Sequence, residues 1–182
     1  MRLFYALELP RPVQASLAAG AGRWARRVPG AKWVAQENLH VTVRFLGEVG
    51  EGLLPTLQEL GERAARSAGP VEISLDRLGA FPSPSRARVL WAGPSGPCPP
   101  FGRVVEEVEK GVQALGFPPE QKPAVPHVTL ARLRVPQNLA PLLSEVELAP
   151  LLAAVRELTL MASELRPDGP RYTPVARWPL GG

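Results

Sequence analysis

Glu37-Asn38-Leu39-His40-Val41-Thr42-Val43-Arg44-Phe45-Leu46-Gly47 sets a histidine in an alternating run of polar and apolar residues. The pattern has an echo 87 residues later, in Pro126-His127-Val128-Thr129-Leu130-Ala131-Arg132. The two copies use both histidines of the chain and two of its five threonines (Thr42, Thr56, Thr129, Thr159 and Thr173). Alternation of this kind marks a strand, and successive strand side chains point to opposite faces. His40 and Thr42 therefore share one face while Val41 and Val43 take the other, and His127 and Thr129 oppose Val128 and Leu130 in the same way. Each strand is expected to bury its aliphatic pair in its own half of the molecule and to present an imidazole and a hydroxyl outward. A repeat at nearly half the length of a 182-residue chain suggests two similar lobes facing a shared groove.

Two imidazoles and two hydroxyls in one groove suit a phosphodiester. An imidazole titrates near neutrality and serves as acid or base. With one on either side of the phosphorus, the neutral ring takes a proton from the attacking oxygen and the charged ring gives one to the leaving oxygen. The threonine hydroxyls can donate to the non-bridging oxygens, where charge accumulates. Strand parity leaves open which ring does which. No metal or other cofactor is called for, and Asp76 and Asp168, the only aspartates, lie far from either histidine in sequence. No Gly-x-Ser-x-Gly nucleophile elbow and no glycine-rich phosphate loop occurs.

Outward from these strands the pattern is mixed. Residues 3–9 alternate as a strand, 13–28 carry helical spacing up to Pro29-Gly30, and 33–34 with 39–46 are extended. A helix follows over 52–67, then strands at 71–75 and 86–91 separated by the turn Phe81-Pro82-Ser83-Pro84. A third helix spans 101–115 and another strand 127–134. Residues 137–150 read equally as a short helix or a loop. Segments 155–165 and 172–178 form a closing pair around Pro167-Asp168-Gly169-Pro170. About three helices and seven or eight largely antiparallel strands make this an α+β chain, with a coarse internal duplication and no linker dividing 1–182 into independent domains.

Composition narrows the function classes. The chain is 45% hydrophobic and 21% charged, as a folded soluble protein is. It has no apolar run long enough for a membrane span, and Met1 to Pro10 reads as a first strand rather than a signal peptide. Cys98 is alone, which excludes an internal disulfide, disfavours a structural zinc site and points to the reducing cytoplasm. The net charge of +4, carried almost wholly by arginine, fits a phosphate-bearing partner, although a bias toward Arg, Ala, Gly and Pro explains the same enrichment.

At the two His-x-Thr motifs the chain resembles the 2H phosphoesterase superfamily, and within it the bacterial RNA 2′,3′-cyclic phosphodiesterases, historically called 2′-5′ RNA ligases. The likeness runs from Arg2-Leu3-Phe4-Tyr5-Ala6-Leu7 through Trp33-Val34, the two motifs, Gly79-Ala80-Phe81-Pro82 and Val89-Leu90-Trp91 to Ser163-Glu164-Leu165 and Gly169-Pro170-Arg171-Tyr172. It implies a bilobal α+β fold of two antiparallel sheets with flanking helices around a central cleft, with pseudo-twofold duplication. It implies a monomer that acts on RNA ends bearing a 2′,3′-cyclic phosphate, such as tRNA halves, and yields a 2′-phosphomonoester. His40 would be the proton donor to the 3′ oxygen and His127 the base. Weak, reversible 2′-5′ ligation would use the same chemistry with a ribose hydroxyl replacing water. Thr42 and Thr129 are the expected phosphate contacts. Arg132 would pair with phosphate or stack on the terminal base, yet its parity is opposite to that of His127, so it needs a bulge or a strand end to reach the groove. Arg44 has the right parity, as would a solvated edge arginine. Phe4 reads as a base platform or as core, and Trp33, Phe81, Trp91 and Tyr172 as packing. Two rivals keep the groove: a phosphodiesterase for small cyclic nucleotides, and a non-catalytic module that grips RNA ends.

Overall fold

A computed structural model describes residues 1–181. Ten strands occur among them: β1 (Arg2–Glu8), β2 (Lys32–Trp33), β3 (His40–Glu48), β4 (Val71–Leu75), β5 (Arg77–Phe81), β6 (Ala87–Gly93), β7 (Val128–Gln137), β8 (Leu151–Val155), β9 (Glu157–Arg166) and β10 (Gly169–Pro179). The helices are α1 (Arg11–Trp24), α2 (Leu54–Ser67), α3 (Pro99–Ala114) and α4 (Ala140–Glu145). The first three helices fall where apolar spacing placed them, and α4 resolves the segment left open between helix and loop. Strands β5 and β8 have no counterpart in the sequence reading. β5 ends at Phe81, so the expected turn is instead the exit from a strand.

Each helix begins where proline permits it. α1, α2 and α3 all carry proline in the first turn, where the missing N–H costs no helical hydrogen bond. The amphipathic faces of α2 (Leu57, Leu60, Ala64) and α3 (Phe101, Val104, Val108, Val112) are buried. Between helix and sheet, the enclosed Tyr5 hydroxyl donates to the Leu57 carbonyl at 2.6 Å, and burial raises its pKa.

The strands form two antiparallel sheets. Eight belong to the larger, in the order β10-β9-β1-β3-β7-β6-β5 with β2 beside β7, and β4 pairs with β8 in the smaller. The order β9-β1-β3 against β7-β6-β5 mirrors itself about the middle. The runs β1-α1-β3-α2-β4-β5 and β6-α3-β7-α4-β8-β9 are successive copies of one arrangement. Each copy hands its last strand to the other: β5 pairs with β6 and β9 with β1. The centre is slender, because Val41 opposite Val128 is the one register pair joining β3 to β7. Beyond that bridge the strands diverge and leave a cleft.

Candidate functional site

Parity does locally what alternation predicts. Val41, Val128 and Leu130 are essentially inaccessible and Val43 is buried, whereas His40, Thr42, His127 and Thr129 keep partial access to solvent. Those four side chains line one cavity of about 910 Å³. Because Val41 faces Val128 in antiparallel register, His40 lies toward Thr129 and His127 toward Thr42.

The two imidazoles are held alike. Nδ1 of His40 lies 2.7 Å from the Asn38 carbonyl, and Nδ1 of His127 lies 3.1 Å from that of Val125. A carbonyl only accepts, so each Nδ1 carries the proton and each Nε2 is left to take up or give one up. His40 Nε2 is 2.9 Å from Thr42 Oγ1. The hydroxyl donates to it when the ring is neutral and accepts from it when the ring is charged. Burial is the main influence on both rings and lowers both pKa values, against the opposing effect of the carbonyl contacts. The guanidinium of Arg132 pushes both further down.

Aromatic rings clamp each imidazole. His40 has Phe4 at 5.1 Å between centroids and Tyr172 edge-on at 5.3 Å. His127 has Phe81 edge-on at 5.1 Å and Trp91 at 6.1 Å. Trp91 lies over Gly79, its register partner on β5, where no Cβ would fit. Phe81, Trp91 and Tyr172, read from sequence as packing, thus fix the orientation of the candidate catalytic rings, and Trp33 lines the cavity wall. Their residues stand in the stretches that carried the family likeness; parity could not be applied to Phe81, because β5 has no counterpart in the sequence reading, and parity within one strand does not say which histidine Trp91 or Tyr172 will meet. Phe4 is floor rather than platform, since it is buried with Ala6 and Met161 under His40 and Tyr172.

Arg44 is corrected and Arg132 is reconciled by the same device. In β3, Thr42 faces Ala6 but Arg44 faces Tyr5, so one extra residue bulges the strand and reverses its parity. Arg44 turns away from the cavity into the interior, where it pairs with Glu109 of α3 at 2.9 Å and reaches Glu120 and the Pro118 carbonyl. It is not placed to touch a ligand in the cleft, and Phe45 takes the cleft face instead. In β7, Thr129 faces Trp91 and Ala131 faces Leu90. The bulge that Arg132 needed is therefore present, and its side chain lines the cavity. Lys32, in register beside Arg132, lines it too. Two cations side by side repel, so this wall favours an anion.

A carboxylate completes the surroundings of His40. Glu8 faces His40 across β1 and β3. It accepts from Arg177 at 2.7 and 3.1 Å and from Thr159 at 2.9 Å, and the Arg177 hydrogen bond is the chief reason its pKa is lowered. This fixed anion modestly favours the charged form of His40. Among the described residues no three His, Cys, Asp or Glu side chains cluster as metal ligands would, and no helix is long and apolar enough to cross a membrane.

Comparison with known proteins agrees with this arrangement. The profile of the 2′-5′ RNA ligase superfamily matches residues 12–166. An RNA 2′,3′-cyclic phosphodiesterase of Aeropyrum pernix is 40% identical over 148 residues, covering 78% of this chain and 81% of its own. One of Thermus thermophilus is 38% identical, covering 100% of this chain and 91% of its own. Among crystal structures, E. coli LigT complexed with 3′-AMP superposes with a TM-score of 0.81 at 28% identity, over 100% of this chain and 98% of LigT. TT0787 of Thermus thermophilus gives 0.81 at 35% identity, covering 100% and 99% of the two chains. With paired His-x-Thr strands, mirrored lobes and a profile match over most of its length, this chain belongs to the 2′-5′ RNA ligase superfamily.

Proposed function

We infer that this protein is an RNA 2′,3′-cyclic phosphodiesterase that hydrolyses the terminal cyclic phosphate to a 2′-phosphomonoester by two-histidine acid–base catalysis. One observation carries the reading: two imidazoles, each with Nδ1–H donated to a carbonyl two residues back, share one cavity with two threonines and an arginine. The names of its relatives supply the substrate class.

Neutral His127 accepts a proton from water at Nε2 as the water oxygen bonds to phosphorus. The bond from phosphorus to the 3′ oxygen breaks, and that oxygen takes the Nε2 proton of charged His40. A 2′-phosphate and a free 3′-hydroxyl result, His40 ends neutral and His127 charged, and proton exchange with solvent resets the pair. Thr42, Thr129 and Arg132 steady the phosphoryl oxygens as charge accumulates there. Fixed donors cost no reorganisation at the moment of reaction, and the aromatic clamps provide that fixity. With the 5′-hydroxyl of a second RNA strand attacking in place of water, the same steps would form a 2′-5′ linkage and leave the 3′-hydroxyl free.

Product analysis on a defined oligoribonucleotide ending in a 2′,3′-cyclic phosphate tests this reading. A 2′-phosphate is expected. A 3′-phosphate product, or no turnover, refutes it.

A further inference from the structure

Each imidazole takes its direction from a carbonyl two residues back, yet the two carbonyls are held differently. Val125 stands in the run between α3 and β7, where Pro118, Pro119, Pro123 and Pro126 donate no backbone hydrogen bond. Its own N–H donates to the Pro123 carbonyl at 3.0 Å, and the residue is 45% exposed. The Asn38 carbonyl belongs to the single turn Gln36–Asn38, which is pinned from two sides. Gln14 of α1 donates from Nε2 to the adjoining Leu39 carbonyl at 3.0 Å, and Asn38 donates from its own Nδ2 to the Pro170 carbonyl of β10 at 2.9 Å.

The second of these bonds joins residues 132 positions apart. β10 and β3 are not neighbours, since β9 and β1 lie between them, and three strand spacings amount to roughly 14 Å. The β9–β10 hairpin therefore reaches back over the end of the sheet to meet the turn. Two residues past Pro170, Tyr172 sits edge-on to His40, and Arg171 between them lines the cavity. Asn38 so closes a ring of contacts. Its carbonyl holds His40 Nδ1, its amide holds the hairpin, and the hairpin's tyrosine flanks the imidazole. A carbonyl only accepts, so the contact needs an N–H donor at this place. Aspartate has the same shape but would set two acceptors face to face.

We propose that Asn38 is a positioning residue for His40: its amide bolts the β9–β10 hairpin to the turn before β3, so that the ring's tautomer, its direction and the hairpin's place on the cleft wall are set together. Among the described residues no side chain other than His127 itself hydrogen-bonds residues 123–126, so the device serves the first lobe alone. Its catalytic consequence rests on the two-histidine reading above, in which a misdirected acid slows the chemical step rather than binding.

The test uses Asn38→Ala and the isosteric Asn38→Asp in the full chain. On an oligonucleotide 2′,3′-cyclic phosphate, Asn38→Ala should lower kcat by about ten- to a hundredfold while KM stays within about twofold. Long-range ¹H–¹⁵N spectra without substrate, at about pH 8 where imidazoles are neutral, show two rings because the chain has two histidines. In both variants His40 should begin to populate its Nε2–H form while His127 keeps Nδ1–H. Unchanged tautomers, or an equal change at both rings, overturn the proposal. So does a raised KM with unchanged kcat in Asn38→Ala, which would make Asn38 a ligand contact instead. If no cyclic phosphate turns over, the catalytic reading has failed, and the ring spectra decide the positioning alone. If neither variant folds, nuclear Overhauser contacts in the wild type between the Asn38 amide protons and the Pro170–Arg171 backbone decide it: their presence supports the bolt and their absence overturns it.

Discussion

Phe45 and Arg132 occupy equivalent places in the two lobes. Each stands five residues beyond its histidine, and a one-residue bulge after the threonine delivers each to the cavity wall. The duplication thus repeats the backbone device while changing the chemistry it delivers, with an aromatic ring in one half and a guanidinium in the other. A nucleotide has one flat part and one anionic part, and these walls differ in the same respect.

Replacing either histidine by alanine should lower kcat by about 10²- to 10⁴-fold, the usual contribution of a positioned general acid or base. The double variant should lose little more, because the proposed mechanism uses both rings in a single step. Single-turnover kinetics on the cyclic-phosphate oligonucleotide provide the check. The wild-type rate should be unaffected by EDTA, and strong inhibition by the chelator would contradict a mechanism in which neither step passes through a metal.

The rate should follow a bell in pH, since the proposed mechanism needs one imidazole charged and the other neutral. Burial, the leading influence on both rings, depresses both from 6.5, so the kcat/KM optimum is expected on the acid side of that value. Arg132→Gln removes a charge that disfavours both imidazolium forms and should move both limbs upward while weakening phosphate grip. Stability follows the same sign. The unfolded chain takes up these protons more readily, so the neutral rings stabilise the fold above about 6.5 and that contribution is lost as pH falls below it. An optimum well above neutrality would refute the assignment.

Thr42→Val and Thr129→Val each delete a donor aimed at the cleft, and each should cost about 10²-fold in kcat, as loss of one preorganised donor does. They should differ in pH dependence. Thr42 also bonds His40 Nε2, so its loss should shift the limb due to His40, whereas Thr129→Val should leave the profile's shape intact. Serine at either position should restore most of the rate.

Arg44 is expected to matter for folding. Arg44→Ala leaves Glu109, 15% exposed at its side chain, without its partner and should destabilise by about 3–5 kcal/mol. Arg44→Met combined with Glu109→Leu should recover much of that. Urea unfolding measures both effects, and kcat of the folded fraction should hold throughout.

The central strands were legible because period-two alternation is a strong local pattern, and it assigned the inward valines and the outward imidazoles correctly. It failed two residues past Thr42. A bulge reverses every side chain beyond it, yet nothing in Val43-Arg44-Phe45 distinguishes a bulged strand from a regular one. Arg132 showed the need for such a slip only because its parity conflicted with the family likeness. Strands β5 and β8 are no shorter than β4, but Arg77-Leu78-Gly79-Ala80-Phe81 and Leu151-Leu152-Ala153-Ala154-Val155 lack the polar–apolar alternation that marks Val71-Glu72-Ile73-Ser74-Leu75. Tyr172 and Phe81 were missed for another reason. Each meets a histidine that lies in the opposite half of the chain, a contact that local spacing cannot encode.

The exchange of outer strands makes the two lobes hostages of one another. Severing the chain near Pro84 would strip the Phe81 clamp from His127 and the Tyr172 clamp from His40 in a single cut, leaving two fragments with unfilled sheet edges. Neither fragment is expected to fold or react alone. Mixed in equal amounts, they should interlock and recover turnover together.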